Sequence, residues 1–271
     1  MVENHQWMRL PGNCVPTRQA GTWPPGLRCS GPWKGAMHPA PTGPTPLPTS
    51  MEQMPEPGPV CAILSSDPVH LRHWNERRAL FWKQRQQEQG AVVFLGDSIT
   101  ALWNDLPGRF PGIAIANRGI GSDATAGARF RLQEDVLDLA PRGVVLLLGT
   151  NDLAMNASAA ATASGLEAIL DRLVLRGKPI PTIIGTILPR SDVLIAKQTQ
   201  ELNLAVRAIA ARRGLALADL HPALCDQQGG MLQSCFLDGA HPNASGYDRM
   251  HAVLAPLVGR QWGMVVQHQH G

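Results

Sequence analysis

The run Ala91-Val92-Val93-Phe94-Leu95 leads directly into Gly96-Asp97-Ser98, and no other part of the chain constrains the fold as strongly. Apolar, largely β-branched or aromatic residues without polar alternation predict a strand covered on both faces, as in a parallel α/β sheet. Ligands of such sheets bind beyond the carboxyl ends of the strands, so topology brings the Ser98 hydroxyl to the rim of a crevice. Taken singly, Gly-Asp-Ser is more often an ordinary strand-end turn than the mark of a nucleophile.

The same alternation continues through the chain. Helical spacing over 69–89, carried by Leu71, Trp74, Phe81 and Trp82, precedes the first strand, and these aromatic rings are expected to pack on the domain. Further strand-like runs fall at 113–116, 144–148, 182–188 and 215–218, separated by helix-like stretches at 124–139 (broken), 157–175, 192–213 and 243–258. Strands and helices in this order predict βαβ units, hence a three-layer α/β/α sandwich around a five-stranded parallel sheet of the flavodoxin-like kind. Asp192 and Asn243 are placed to cap the last two helices.

Residues 1–60 are rich in proline, glycine, threonine and serine and are expected to form a disordered leader; 61–262 form the domain, and 263–271 a tail. A net charge of +3 without a basic stripe excludes a nucleic-acid footprint. No signal-type apolar region and no run long enough to span a bilayer is present, so a soluble cytoplasmic protein is expected. The five cysteines imply no disulfide framework, although Cys225 and Cys235 could bridge in an oxidising compartment. No pair of histidines has a zinc-binding context, and neither a metal nor a cofactor is expected.

Three further segments fall at the rim that Ser98 occupies. Asn117-Arg118-Gly119-Ile120-Gly121-Ser122-Asp123 follows the second strand with a glycine-rich turn that can expose backbone amides; Gly149-Thr150-Asn151-Asp152 follows the third and offers a side-chain amide. Asp238-Gly239-Ala240-His241-Pro242-Asn243 sets a carboxylate three residues before an imidazole, just ahead of the last helix. A neutral imidazole can take a hydroxyl proton, while a carboxylate on its other nitrogen fixes the tautomer and stabilises the imidazolium. Each segment alone also reads as a turn or a cap. Together they supply nucleophile, amide donors, general base and orienting acid, the parts needed for acyl transfer.

These four ordered blocks resemble the SGNH branch of the GDSL hydrolase superfamily, over roughly residues 91–258. The resemblance implies that Ser98 is the nucleophile, that Asp238 and His241 complete a triad, and that the Ser98 amide and Asn151 are oxyanion donors. It is nearest to the catalytic subunits of brain-type platelet-activating-factor acetylhydrolase and their bacterial counterparts, where the second block reads Gly-Ile-Gly-Gly-Asp and its last glycine donates an oxyanion amide. Here that position is Ser122, which can serve if its backbone angles tolerate a Cβ. Asp97, Gly121 and Arg190 are expected to contact substrate, Arg190 through an anionic or polar group. An α/β-hydrolase elbow is excluded, because Thr100 stands where its second glycine belongs and Asp238 and His241 share one loop.

The expected activity is hydrolysis of a small-molecule carboxylic ester. Short loops leave little material for a lid, which favours short acyl groups such as acetyl. A carbohydrate O-acetyl esterase and a non-catalytic binding module on the same fold are the alternatives. A homodimer is an arrangement that the sequence admits without specifying it.

Overall fold

The computed structural model describes residues 68–263. The expected leader, all but Gly263 of the expected tail, and Cys14, Cys29 and Cys61 lie outside them. The helix α1 (Pro68–Gln84) comes first, and β1 (Val92–Gly96) follows it, buried at every position. The short α2 (Ser98–Ala101) leads to β2 (Ile115–Gly119), and α3 (Thr125–Phe130) and α4 (Leu132–Asp135) to β3 (Gly143–Leu147). After α5 (Thr150–Ala154) and α6 (Ala159–Arg172) comes a small antiparallel hairpin of β4 (Val174–Leu175) and β5 (Lys178–Pro179). The chain ends with β6 (Thr182–Gly185), α7 (Val193–Arg213), β7 (Ala216–Ala218), α8 (Leu220–Ala223) and α9 (Ala244–Trp262).

The main sheet is five-stranded and parallel, in the order β2-β1-β3-β6-β7, with flanking helices as the alternation predicts. The first connection moves to one side of β1 and the next to the other, so the chain reverses direction across the sheet beside β1. At such a switch point adjacent loops diverge and leave a crevice. Register places Gly96 opposite both Gly119 and Leu147, so the loops carrying Ser98, Ser122 and Asn151 leave neighbouring strands at one level.

The main core combines the strands with the apolar sides of the helices, and Trp262 of α9 closes against Gly143, where even a methyl group would collide with its ring. A second cluster joins Trp74 and Phe81 of α1 to Ile120, with Phe130 packed against it, so α1 is seated under the loop after β2. Burying such large side chains stabilises by roughly 1.5–3 kcal/mol each. Among the described residues no helix is long and apolar enough to cross a membrane. Cys225 and Cys235 are free thiols, so the bridge between them is not formed.

Two departures from the periodicity have physical causes. The second strand begins at Ile115 and runs on through Asn117, Arg118 and Gly119, because Arg118, 1% exposed, lies beneath the Phe81 ring and donates to the Asp135 carbonyl and to Glu88. The stretch 124–139 divides into α3, α4 and a 3₁₀ turn at Leu137–Leu139, and the break between the two helices falls at Arg131, whose side chain is fully buried.

Gly119 is required by a close approach: a Cβ there would lie 2.2 Å from the Ala101 amide nitrogen. Gly119→Ala should therefore force β2 away from α2 and destabilise the fold by about 1–3 kcal/mol in urea unfolding. An unchanged midpoint would show that this contact is loose.

Candidate active site

Ser98 is the first residue of α2 and is half-buried, because β1 ends there and the chain turns at once into the helix. Asp97 makes that turn: its Oδ1 accepts the Ile99 N–H at 2.9 Å. The turn is held from other elements as well. The Asn117 side-chain amide donates to the Thr100 carbonyl at 2.8 Å, and the Tyr247 hydroxyl of α9 donates to the Ile99 carbonyl at 2.8 Å. Asp97 is 1% exposed, so it sits as an interior cap and not as the substrate contact that the sequence suggests. Burial pushes its carboxyl up to about 7 against the Ile99 amide bond; Asp123 and Asp152 add to the rise, and Arg190 opposes it.

The Ser98 Oγ lies 3.0 Å from His241 Nε2, and His241 Nδ1 lies 2.8 Å from Asp238 Oδ2. The other Asp238 oxygen accepts the Ala240 and His241 amides at 2.7 and 2.8 Å, an Asx turn that brings a carboxylate and an imidazole three residues apart face to face. Partial burial works against the Asp238 charge, but bonds from the His241 ring and from these two amides outweigh it and hold the carboxyl below its usual range. With the Nδ1 proton directed to the carboxylate, Nε2 presents a lone pair to the serine hydroxyl. The loop itself is pinned by bonds from the Leu237 N–H to the His241 carbonyl and from the Ser191 N–H to the Gly239 carbonyl.

The loop after β2 is tied to the nucleophile's strand, since the Ile120 N–H donates to the Gly96 carbonyl at 3.2 Å. An Asp123 N–H to Ile120 carbonyl bond then closes a four-residue turn whose third residue, Ser122, has φ 61°. Serine thus occupies a left-handed conformation that glycine adopts without cost, and Ser122 and Gly121 are both half-buried at the rim. A Cβ on Gly121 would lie 3.4 Å from His73 Nε2, so α1 abuts this turn. Asn151, in the first turn of α5, donates one side-chain N–H to the Asp123 carbonyl at 2.8 Å; an amide NH₂ carries a second. Arg190 is half-buried, donates to Thr150 Oγ1 at 3.1 Å, and lies within electrostatic reach of Asp97 and Asp238.

Periodicity and spacing did not single out Arg131 or the Asp123 side chain. Arg131 is fully buried and donates to Asp123 Oδ2 at 2.8 Å, to the Arg118 carbonyl at 2.8 Å and to the Gly96 carbonyl at 3.2 Å. The available signal was a charge between Ala128 and Leu132 on a helix's apolar side, with Asp135 four residues on. Among the described residues no group of three or more His, Cys, Asp or Glu is placed to hold a metal ion.

Residues 94–249, more than half of the chain, match the GDSL-like lipase/acylhydrolase family, and the protein belongs to that family. Its members are hydrolases of ester bonds, and this chain is of that class. A GDSL-like lipase from Bacteroides thetaiotaomicron shares 25% identity with a TM-score of 0.59, covering 70% of this chain and 97% of its own. A lipase/acylhydrolase from Enterococcus faecalis shares the fold at 24% identity and TM-score 0.54, covering 63% and 96%. A Streptococcus pneumonia protein named for platelet activating factor does so at 21% identity and TM-score 0.59, covering 70% and 96%. Comparison with curated proteins found no significant match.

Two outcomes follow from this geometry. Because the ionised Asp97 carboxyl is disfavoured in the fold, its favourable contribution is fully present below pH 3.8 and is lost as pH rises through about 7. Asp97→Asn should therefore gain melting temperature relative to the wild type between pH 5 and pH 8.5; a pH-independent difference would contradict the burial argument. Ser122→Val, with a branched Cβ in the left-handed region, should lose about 1–3 kcal/mol in urea unfolding, whereas Ser122→Gly should lose none.

Proposed function

We propose that the protein is a serine esterase that cleaves short-chain carboxylic esters through an acyl-enzyme on Ser98. The observation that carries this reading is the unbroken chain from Ser98 Oγ to His241 to Asp238, with links of 3.0 and 2.8 Å. A serine hydroxyl is a poor nucleophile until a base removes its proton, and this chain supplies the base with its tautomer fixed.

In the proposed cycle Ser98 Oγ attacks the ester carbonyl carbon while His241 Nε2 takes the hydroxyl proton. The tetrahedral oxyanion is received by the Ser98 and Ser122 amides and the second N–H of Asn151. Collapse breaks the bond to the alcohol oxygen, which leaves with the proton from His241. Water, deprotonated in turn by His241, then attacks the acyl carbon and releases the acid, restoring Ser98. Asp238 keeps its charge throughout and stabilises the imidazolium. Arg190, beside this loop, is assigned to a polar or anionic group of the substrate, and Gly121 to its approach.

Short-chain aliphatic esters are preferred over acetylated sugars for a specific reason. Among the described residues the exposed large apolar side chains, which include Leu237 beside Asp238 and Val193 and Leu194 after Arg190, are aliphatic, with no aromatic ring among them to stack a sugar face.

The test is hydrolysis of nitrophenyl acetate, butyrate and decanoate alongside acetylated xylan. Wild-type protein should turn over the acetate fastest, and Ser98→Ala should reduce kcat at least about 10³-fold at unchanged melting temperature. Equal turnover by wild type and Ser98→Ala would overturn the mechanism, and faster release of acetate from xylan would move the substrate to carbohydrate.

A further inference from the structure

We propose that the buried Arg131–Asp123 ion pair is a positioning device for the oxyanion hole. The inference rests on the esterase reading above and concerns what sets the geometry of its amide donors. Arg131 is fully buried, and its guanidinium reaches three parts of the rim at once: the carbonyl of Gly96 at the end of β1, the carbonyl of Arg118 near the end of β2, and the carboxylate of Asp123. The first carbonyl lies two residues before Ser98. The second leads into the turn that carries the Ser122 amide. The third belongs to the residue whose own backbone carbonyl accepts the Asn151 side chain at 2.8 Å. One rigid, planar cation therefore ties the nucleophile's strand to both of the donors beside it.

Stability alone does not account for such a pair. Removing two charges from water costs several kcal/mol, and apolar residues of the same volume commonly serve as well or better. What an arginine fork provides and an apolar side chain does not is direction, through several hydrogen bonds of fixed mutual geometry. The ion pair is also anchored from behind. Asp135 faces Arg131 at 3.4 Å and accepts from Arg78 of α1 at 3.3 Å, while Arg77 of the same helix donates to the Gly119 carbonyl at 3.1 Å. The helix α1 precedes the family-matched residues 94–249, so this chain supports its oxyanion loop with an element from outside that match.

Displacement of a catalytic group by about 1 Å can cost on the order of 100-fold in rate. Arg131→Lys keeps the charge but loses the fork. It should lower kcat on nitrophenyl acetate by about 10- to 100-fold with KM within twofold, in protein that retains its circular dichroism spectrum. The decisive measurement is a double-mutant cycle with Asn151→Ala, which alone should cost about 100- to 1000-fold in kcat. If Arg131 acts by placing Asn151 and the Ser122 amide, the combined loss falls short of the product of the single losses by tenfold or more. Losses that multiply, or a change in KM alone, would overturn the proposal and leave Arg131 a structural residue. Should Arg131→Lys fail to fold, Asp123→Asn, which keeps the backbone carbonyl and side-chain volume, is carried through the same cycle with the same two outcomes. A wild type without serine-dependent turnover, or an Asn151→Ala variant as active as wild type, would instead strike at the esterase reading itself.

Discussion

The constraint on which the rest of this structure depends is the parallel pairing of β1 with a neighbour on each side. A strand hydrogen-bonded and covered on both faces has no freedom to slip, and its register fixes where the adjoining strands end. Because Gly96 stands opposite Gly119 and Leu147, the segments after β1, β2 and β3 begin at one edge and at one level. Ser98 and Asn151, more than fifty positions apart in sequence, thereby stand beyond the ends of two paired strands, at the starts of α2 and α5. The imidazole arrives by a different route, on a loop between the last strand and α9 that is closed by its own Asx turn and by one bond from the Ser191 amide of the segment after β6.

Several charged side chains are buried around this edge. Asp97, Asp123, Asp152, Arg118 and Arg131 are all less than 9% exposed; backbone groups partner Asp97, Asp152, Arg118 and Arg131, and the Arg131 guanidinium partners Asp123. Carbonyl and amide groups at strand ends have finished their ladder bonds and would otherwise need water; buried arginines and aspartates satisfy them and hold the loops still. The arrangement places rigidity where a reaction that develops negative charge requires donors fixed in advance. It also explains why Asp97 is a residue of the turn, since its carboxylate is spent on the Ile99 amide that shapes the start of α2.

The fold was legible in the sequence because its signal is apolar periodicity, which tertiary contacts reinforce here. Runs such as 91–95 and 144–148 lie within one residue of β1 and β3, and the caps at Asp192 and Asn243 accept backbone amides as their side chains suggest. The four blocks of candidate site residues were legible from residue type and order. Where the reading fell short, a polar residue had been turned inward. Arg118 masks the carboxyl half of β2, Arg131 the break between α3 and α4, and Asp97, expected to contact substrate, is buried at the turn into α2. The helical stretch 157–175 takes in β4, because nothing in Val174-Leu175 distinguishes two strand residues from a last helical turn, and β5 carries no strand signal of its own; the reversal between them depends on Arg176 and Gly177, both at positive φ. Pattern reports which face of an element is apolar, and burial of a compensated charge is invisible to it.

The central claim is that Ser98, activated by His241, is the covalent nucleophile. The most direct measurement is intact-protein mass spectrometry after exposure to a fluorophosphonate, followed by peptide mapping of the adduct. One phosphonyl group per chain is expected, located on Ser98, with labelling lost in Ser98→Ala and strongly slowed in His241→Ala. Labelling at another serine, or labelling of Ser98 at the same rate without His241, would contradict it.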